Sequence, residues 1–590
     1  MKRNKVLPIF VVGASAALAL SACSSTVDVK KSEGAATTAS FTVGADEYGG
    51  YNSSISSLYS TGNSVINDRM ASSFGYFEAN GEWHKGGDLG DYEMVSESPL
   101  TVKYTINEKA VYEGGTPITC EDFYLDWVAQ NPQWILDGQK AAGNVDDAGN
   151  GAPLFDNVSS PDSYAGPVKN GPECNAGDRE FTVTYDAPNP DWQLVISGVR
   201  PSHVVATQIG LDKEKLFEAL KAQDFEVAKK AADYWNNWYS KNAGELQPAE
   251  EIPSFGPYTL KQGGWKKGEY VTLVKNPDWW GEPGGVDELV VRFIAPEGQI
   301  QALANKDVNV IEPQATQDAL DTLANTAGVK VLTGSTMIWE HLDYNFADTS
   351  VFSEGQGGLK LRQAFALCAP RQDIVDKLVK KLDPEAQLMN SREYFVNDPE
   401  YAEVVAASYN GEYDKVDLEK AKQLIAESGV ANPTVRIGYS APNQRRADTV
   451  ALIKASCDQA GFTIEDIGAE NFFAPEGALA TGQYDIALFA WSGSGQVVSG
   501  ANIFKSTGQQ NFSQWNNAEV DAAWAKVEVS LDPAVHKAAK IEFEKAAWAD
   551  LLNLPIYAHP GIAAHTEGLK NVERNVTQNG IVWNAEKWAW

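Results

Sequence analysis

Residues 434–439 read Thr-Val-Arg-Ile-Gly-Tyr, and residues 485–489 read Asp-Ile-Ala-Leu-Phe. Both are short, apolar-rich runs of the kind that form strands buried in a sheet. Between them, residues 447–460 have the apolar spacing of a helix. A strand, a helix and a second strand in this order predict a parallel β-α-β unit. The second half of the chain is therefore expected to contain an α/β body.

Outside this unit the chain also alternates strand-like and helix-like segments, which indicates a mixed α/β protein. Residues 100–106 alternate apolar and polar side chains as a half-buried strand does. Thr119 is placed to cap a helix that begins at Cys120, and Asp417 to cap another that Gly429 ends. With 590 residues the chain exceeds one ordinary hydrophobic core, so at least two domains or lobes are expected.

The N-terminus has the pattern of an export signal. Lys2, Arg3 and Lys5 precede a short run of small and apolar residues, and the run ends at Leu-Ser-Ala-Cys23. This tetrapeptide resembles the bacterial lipobox, which implies cleavage after residue 22, a lipid on Cys23 and a position on the outer face of the cell membrane. Ordinary signal cleavage beside an incidental cysteine is the alternative. Residues 23–40 are polar and rich in Ala, Ser and Thr, which predicts a flexible tether.

Composition and motifs exclude several function classes. A formal net charge of −31 would repel phosphate backbones, so nucleic acid is not an expected partner. The sequence has neither a Gly-x-Ser-x-Gly elbow nor a His-Glu-x-x-His motif, and its six histidines are scattered. We therefore expect no catalytic residues, no metal and no cofactor, and any ATPase must be a separate chain.

A series of segments, taken in chain order, resembles the family 5 extracellular solute-binding proteins, the peptide and nickel binders of ABC importers. The most specific are Gly-Pro-Tyr at 256–258 and Lys-Asn-Pro-Asp-Trp-Trp-Gly at 275–281. The other matching segments are residues 104–127, 286–289, 361–375, 421–429, 484–491, 516–521 and 554–557. Together they extend the resemblance over about residues 41–590.

This resemblance implies an α/β protein with the two-lobed periplasmic-binding-protein-like fold (type II, class C), in which the ligand is enclosed between the lobes. Lobe I would comprise residues 41–315 and a return at 556–590. It would include an extra subdomain at about residues 66–195. Lobe II would comprise residues 316–555.

Four cysteines follow Cys23, and an even number in an exported chain suggests disulfides. Three pairings are open, and four buried free thiols are the alternative. The implied lobes favour one pairing, because it keeps each bond within a lobe. The expected bonds are Cys120–Cys174 and Cys368–Cys457.

The resemblance also points to ligand-binding residues near the end of the last predicted strand. In peptide-binding members an Asp shortly after a Gly-Trp motif holds the ammonium group of the ligand. Here Trp491, Ser492 and Ser494 occupy this segment, and Ser494 stands at the Asp position. A hydroxyl cannot replace that ion pair, which is worth roughly 1.5–3 kcal/mol. The ligand is therefore expected to be N-blocked, neutral or sugar-like.

Aromatic walls with a few polar groups are typical of ligand clefts. Further candidates for the cleft are Tyr48, Tyr51, Trp339, Tyr344 and Asn345. The alternative is an exposed loop for the two residues Tyr48 and Tyr51, and core packing for the other three. Arg445 and Arg446 are placed either to anchor a carboxylate or to lie on a solvated turn.

The implied function is that of a monomeric transport receptor. It would deliver a peptide or peptide-like solute to an ABC permease with separate ATPase subunits. Two alternatives stay open: an oligosaccharide receptor of the same family, and a non-transport regulatory lipoprotein on the same scaffold.

Overall fold

A computed structural model describes residues 37–43, 48–131, 134, 140, 143, 154–158, 167–196, 199–493 and 495–590. The predicted signal peptide, Cys23 and Ser494 lie outside these residues. Strand β1 begins at Thr38, two residues before the end predicted for the tether. In the described part of the chain, no helix combines the length and apolarity that a membrane crossing requires.

Ten strands form one large mixed sheet in the order β13-β12-β14-β11-β15-β10-β1-β9-β8-β7, while β2-β3 and β4-β5-β6 form two small antiparallel sheets. The strands are β1 Thr38–Val43, β2 Gly75–Phe77, β3 Trp83–Lys85, β4 Gly90–Glu97, β5 Leu100–Ile106, β6 Glu180–Thr184, β7 Tyr258–Lys266, β8 Tyr270–Lys275, β9 Glu288–Phe293, β10 Val310–Ile311, β11 Val329–Tyr344, β12 Thr434–Gly438, β13 Thr463–Asp466, β14 Ile486–Ser492 and β15 Asn553–Thr566.

Helices cover the faces of the large sheet and fill the connections between strands. They are α1 Thr61–Asn67, α2 Cys120–Gln130, α3 Ser202–Gln208, α4 Lys213–Lys221, α5 Phe225–Trp235, α6 Pro296–Ala304, α7 Gln317–Ala324, α8 Gly358–Cys368, α9 Arg371–Ile374, α10 Tyr401–Ser408, α11 Leu418–Ser428, α12 Gln444–Ala460, α13 Ala501–Phe504, α14 Ala518–Glu528 and α15 Pro533–Asp550. Helix α9 continues as a π-helical turn over Val375–Val379.

The predicted β-α-β unit is confirmed. Strands β12 and β14 are parallel neighbours, and α12 connects the end of β12 to the following chain. The prediction missed β13, a four-residue strand that follows α12 and also runs parallel to β12. Only Ile464 in β13 is buried, so its sequence lacks the apolar run that reveals a central strand.

The predicted helix ends follow from local hydrogen bonding. Thr119 and Asp122 form a capping box at the start of α2. Asp417 caps α11 by accepting a hydrogen bond from the backbone N–H of Lys420. Helix α11 ends at Gly429, whose φ of 77° is the left-handed conformation that glycine adopts without strain.

Two long antiparallel strands, β11 and β15, cross the middle of the sheet. Their pairing extends from Val329 with Thr566 to Asp343 with Asn553, and its register shifts between Ser335 and Trp339. Strand β11 is the neighbour of β14, and strand β15 is the neighbour of β10. The two strands therefore connect the half of the sheet that contains β12–β14 to the half that contains β1 and β7–β10.

The buried side chains form separate hydrophobic clusters along these strands. The first cluster draws on residues 39–310 and 563–588, and the second on residues 342–557. A third cluster is built around Trp339, Phe504, Trp515, Trp524 and Phe543. The two-lobed α/β architecture is therefore present, while the lobe boundaries at 315 and 555 and the extra subdomain at 66–195 stay predictions.

Both expected disulfides are confirmed. Cys120, the first residue of α2, is bonded to Cys174 with a Cα–Cα distance of 6.5 Å. Cys368 at the end of α8 is bonded to Cys457 in α12 with a Cα–Cα distance of 4.9 Å. Each bond therefore fastens a helix within or beside one hydrophobic cluster.

Candidate ligand-binding cavity

A cavity of about 1290 Å³ opens between two walls that belong to different hydrophobic clusters. The first wall is residues 187–195, whose Trp192 and Val195 pack against the first cluster. The second wall is residues 392–398 and 491–510, except Ser494, and it packs against the third cluster through side chains such as Val497. The cavity is also lined by Met337 and Trp339 on β11, by Lys540 on α15 and Glu528 on α14, and by Gly81, Gln130 and Pro167.

Trp339 and Trp491 are paired across β11 and β14 and both line the cavity. The Trp491 ring stacks on Phe512 with ring centroids 5.7 Å apart and lies parallel to His341 at 6.1 Å. Its indole Nε1 is buried and has no hydrogen-bond partner among the described residues. The second wall therefore presents an aromatic surface to the cavity.

Most charged groups of the cavity are paired within the protein. The ammonium of Lys540 lies 2.9 Å from the carboxylate of Glu393, and that of Lys505 lies 2.9 Å from Glu528. Arg392 is fully buried and its guanidinium lies 2.7 Å from the carboxylate of Glu544. Burial raises the pKa of Glu393 above its ordinary value, against the lowering effect of Lys540.

Asp398, like Asp191, is a wall residue that forms no ion pair within the described part of the chain. Its carboxylate accepts a hydrogen bond of 2.8 Å from the backbone N–H of Glu400, and no cation pairs with it among the described residues. Burial raises the pKa of Asp398, and the neighbouring carboxylate of Glu400 acts in the same direction. A ligand that carries one positive charge would find its complement at this place.

Asp191 joins the two walls. Its carboxylate accepts hydrogen bonds from the backbone N–H groups of Val497 at 2.6 Å and Val498 at 3.1 Å. Burial raises the pKa of Asp191, although these two amides act to lower it. The contact connects residues about three hundred positions apart in the chain and closes one side of the cavity.

Three of the predicted ligand-binding residues line the cavity, namely Trp339, Trp491 and Ser492. The hydroxyl of Ser492 accepts a hydrogen bond of 2.9 Å from Nε2 of Gln578. Ser494 lies outside the described residues.

Four other predicted residues are not part of the cavity lining and lie in the protein core. The Tyr48 ring packs edge-on against Trp265, and the Tyr51 hydroxyl donates to the carbonyl of Pro253 at 2.7 Å. Tyr344 donates to the carbonyl of Arg362 at 3.1 Å, and the side-chain amide of Asn345 donates to the carbonyl of Tyr484 at 2.8 Å. The polar atoms of Tyr51, Tyr344 and Asn345 thus satisfy backbone carbonyls, and the Tyr48 hydroxyl donates to the side chain of Asn67, as buried polar groups are generally hydrogen-bonded.

Arg445 and Arg446 lie at the start of α12, away from the cavity lining. Arg446 pairs with the fully buried carboxylate of Glu340 at 2.6 Å, and His559 contacts the same carboxylate at 2.5 Å. The guanidinium of Arg445 lies 3.4 Å from Nδ1 of the same His559. Both arginine side chains therefore support β11 and β15, and the carboxylate that pairs with Arg446 is that of Glu340.

Sequence reasoning missed Asp191, Glu393, Asp398, Lys505 and Lys540, which all line the cavity. No local motif marks them, because they come from four separate segments that only the fold brings together. Among the described residues, no three side chains of His, Cys, Asp or Glu are grouped as a metal site would require.

The sequence model of the bacterial extracellular solute-binding proteins, family 5 Middle, matches residues 87–512. The chain is 30% identical to an uncharacterized lipoprotein of Mycobacterium leprae over 88% of this chain and 87% of that protein. It is 24% identical to the oligopeptide-binding protein OppA of Mycobacterium tuberculosis over 81% of this chain and 72% of that protein. The structure of the periplasmic EDTA-binding protein EppA superposes with a TM-score of 0.76 at 22% identity, over 94% of this chain and 97% of that one.

Proposed function

Because the chain belongs to family 5 of the bacterial extracellular solute-binding proteins, we propose that it captures a peptide or peptide-like solute and delivers it to an ABC importer. The observation that carries this proposal is the cavity of about 1290 Å³, whose walls belong to different hydrophobic clusters. Closure of two bodies over a ligand is a hinge transition that the ligand drives by binding the closed state more tightly. The permease and the ATPase would be separate chains, and the receptor would act as a monomer.

The charges of the cavity support a peptide more than an anionic chelate. OppA is named for binding oligopeptides, whereas EppA is named for binding EDTA, which is strongly anionic. The cavity cations Arg392, Lys505 and Lys540 each already pair with a carboxylate of the protein. A polyanion would have to displace those partners and leave them uncompensated, which is costly in a buried site.

The pairing of the cavity charges within the protein also limits how the charged ends of a peptide can be bound. A free ammonium or carboxylate terminus gains most from an unpaired charge of opposite sign. Among the described wall residues every cation is paired, whereas the carboxylates of Asp191 and Asp398 form no ion pair, and that of Asp191 is already engaged by two backbone N–H groups. The expected Asp anchor is replaced by Ser494. The preferred ligand is therefore a peptide-like solute with a blocked or uncharged C-terminus, held by neutral and aromatic groups.

A lipid on Cys23 would hold this receptor at the outer face of the cell membrane. The relative in Mycobacterium leprae is named a lipoprotein, and the tetrapeptide before and including Cys23 supports the same assignment. The receptor would perform no chemistry on its ligand. Labelling of cells with palmitate tests the anchor, because Cys23→Ala should lose both the label and the attachment to membranes.

The first test is native mass spectrometry of the protein expressed without its lipid, purified gently and measured before and after denaturation. A released peptide would support the proposal. A screen of synthetic peptides, each made with free ends and with N-acetyl and C-amide ends, would then rank affinities. A released sugar would instead favour the oligosaccharide receptor, for which the aromatic rings of Trp339 and Trp491 also provide stacking surfaces. An empty protein that neither peptides nor oligosaccharides stabilise would favour a non-transport lipoprotein.

A further inference from the structure

Asp191 stands out because its side chain belongs to one wall of the cavity and its hydrogen bonds go to the other. The residue is 7% exposed, and both carboxylate oxygens accept a backbone N–H, from Val497 and Val498 respectively. Hydrogen bonds to a charged acceptor are each worth more than neutral ones, and burial excludes the water that would compete for them.

The first wall holds the Asp191 carboxylate in a fixed place. The backbone N–H of Asp191 donates to Oδ1 of Asn189 at 2.9 Å, which forms a tight turn. Pro188 and Pro190 fix the backbone φ angles on both sides of Asn189. Trp192 anchors the turn to the first hydrophobic cluster, where its ring packs edge-on against Tyr92. The carboxylate is thus oriented before it meets the other wall.

The two N–H donors on the second wall are equally anchored, but to a different hydrophobic cluster. Val497 and Val498 pack against the third cluster, beside Trp491 and Ile503. The carbonyl of Val498 accepts a hydrogen bond from the N–H of Ala501, the first residue of α13, at 3.0 Å. The two N–H groups are therefore anchored to the third cluster, whereas Asp191 is anchored to the first.

We propose that Asp191 is a positioning residue for ligand capture, whose carboxylate stabilises the closed cavity by bridging its two walls. In an open protein the carboxylate and the two amides would be hydrated, so the bridge contributes free energy to the closed state alone. The apparent affinity of a ligand depends on the population of the state that binds it, so this contribution appears as tighter binding. The proposal rests on the proposed function, because it assumes a captured ligand.

The test compares Asp191→Ala and Asp191→Asn with Asp186→Asn as the matched control. Asp186 precedes the same wall, is absent from the cavity lining and pairs with Lys169 on the surface at 3.4 Å. The probe is the N-acetylated, C-amidated peptide that binds the wild type most tightly in the screen described above. The readouts are its dissociation constant and the hydrogen exchange of the Val497 and Val498 amides, with and without the probe.

In the wild type, the probe should slow the exchange of both amides. Asp191→Ala should abolish that slowing and raise the dissociation constant by about 10- to 100-fold, as expected for the loss of charge-assisted hydrogen bonds. Asp191→Asn, which keeps one acceptor oxygen, should lie between, and Asp186→Asn should match the wild type. Binding of the probe by Asp191→Ala within about twofold of the wild type would overturn the bridge.

The two proposals fail in different ways. If the wild type binds no peptide, the proposed function fails, and the bridge is then judged without ligand. Faster exchange of the Val497 and Val498 amides in Asp191→Ala than in the wild type would support it. Equal exchange in the two proteins would reject the bridge as well.

Discussion

At the scale of single residues, His565 is a buried titratable group with an incomplete set of partners. It is 3% exposed on β15, its Nδ1 lies 3.0 Å from the carbonyl oxygen of Thr566, and its Nε2 has no partner among the described residues. Burial lowers the pKa of His565 below its ordinary value of 6.5, and the ammonium of Lys330 acts in the same direction. The folded protein therefore holds this imidazole neutral at a pH where the unfolded chain would protonate it.

We predict that His565 makes the protein less stable as the pH falls below about 6.5, the pKa of an unperturbed histidine. In this range the unfolded chain binds a proton that the folded protein does not, so the free energy of unfolding falls. The slope for one proton is at most about 1.4 kcal/mol per pH unit. Denaturant titrations of His565→Gln between pH 8 and 5 should show a shallower fall than the wild type. An equal slope in the two proteins would contradict the prediction.

Trp491 is the predicted cleft residue whose surroundings can be tested most directly. Replacing it with Ala removes the aromatic surface from the cavity, so peptide affinity should fall by about tenfold or more. Trp491→Phe keeps an aromatic face and should lose less. Tyr59→Ala, at a residue that is 70% exposed, controls for a general aromatic deletion. Calorimetric titration measures the affinity, and an unchanged value for Trp491→Ala would remove this residue from the site.

The positions of single residues also show why sequence reasoning predicted some of the residues that line the cavity and not others. Trp491 and Ser492 were identified because a family motif ends a strand there, and strand ends line the cavity. Tyr48 and Tyr344 have the same aromatic character, but the choice between core and cavity depends on which neighbouring segment covers them. Asp191 gave no signal, because its role depends on backbone N–H groups that every residue carries.

At the scale of elements, local sequence patterns predicted the helices and strands whose stabilising interactions lie within a few residues. The capping residues of α2 and α11 and the apolar runs of β12 and β14 act within a few residues, so the sequence displays them. The pairing of β10 with β15 depends instead on a chain that returns after more than two hundred residues. No period in the sequence encodes that contact.

The disulfides provide a test of element packing. Cys368 and Cys457 join α8 to α12 across 89 residues of sequence, whereas Cys120 and Cys174 are 54 residues apart. A longer closed loop restricts the unfolded chain more. Replacing both Cys368 and Cys457 by Ala should lower the free energy of unfolding by about 2–5 kcal/mol. Calorimetry of this double variant beside the matched Cys120/Cys174 variant measures the effect, and a loss below about 1 kcal/mol would contradict it.

At the scale of the whole molecule, any movement of the two halves must be accommodated by β11 and β15. Gly334 and Gly561 face each other in the register of these strands, directly before the shift at Ser335. The guanidinium of Arg574 lies over this glycine pair. A Cβ atom at Gly334 would lie 3.0 Å from Nη1 of Arg574, and one at Gly561 would lie 1.8 Å from Nη2. Glycine at positions 334 and 561 therefore leaves room for the side chain of Arg574.

This arrangement predicts a coupling between Gly561 and Arg574. Gly561→Ala forces the guanidinium to move and should lower the free energy of unfolding by about 1–3 kcal/mol, the usual cost of overpacking. In an Arg574→Ala background the added methyl group meets no guanidinium, so the same substitution should cost less, and the two effects should not add. Gly328→Ala is a poor control because its φ is 74°, whereas Gly355→Ala meets no atom within 4 Å and has no such constraint. Denaturant titrations of the four proteins of the cycle give the coupling, and strictly additive effects would show that Arg574 does not determine the glycine at position 561.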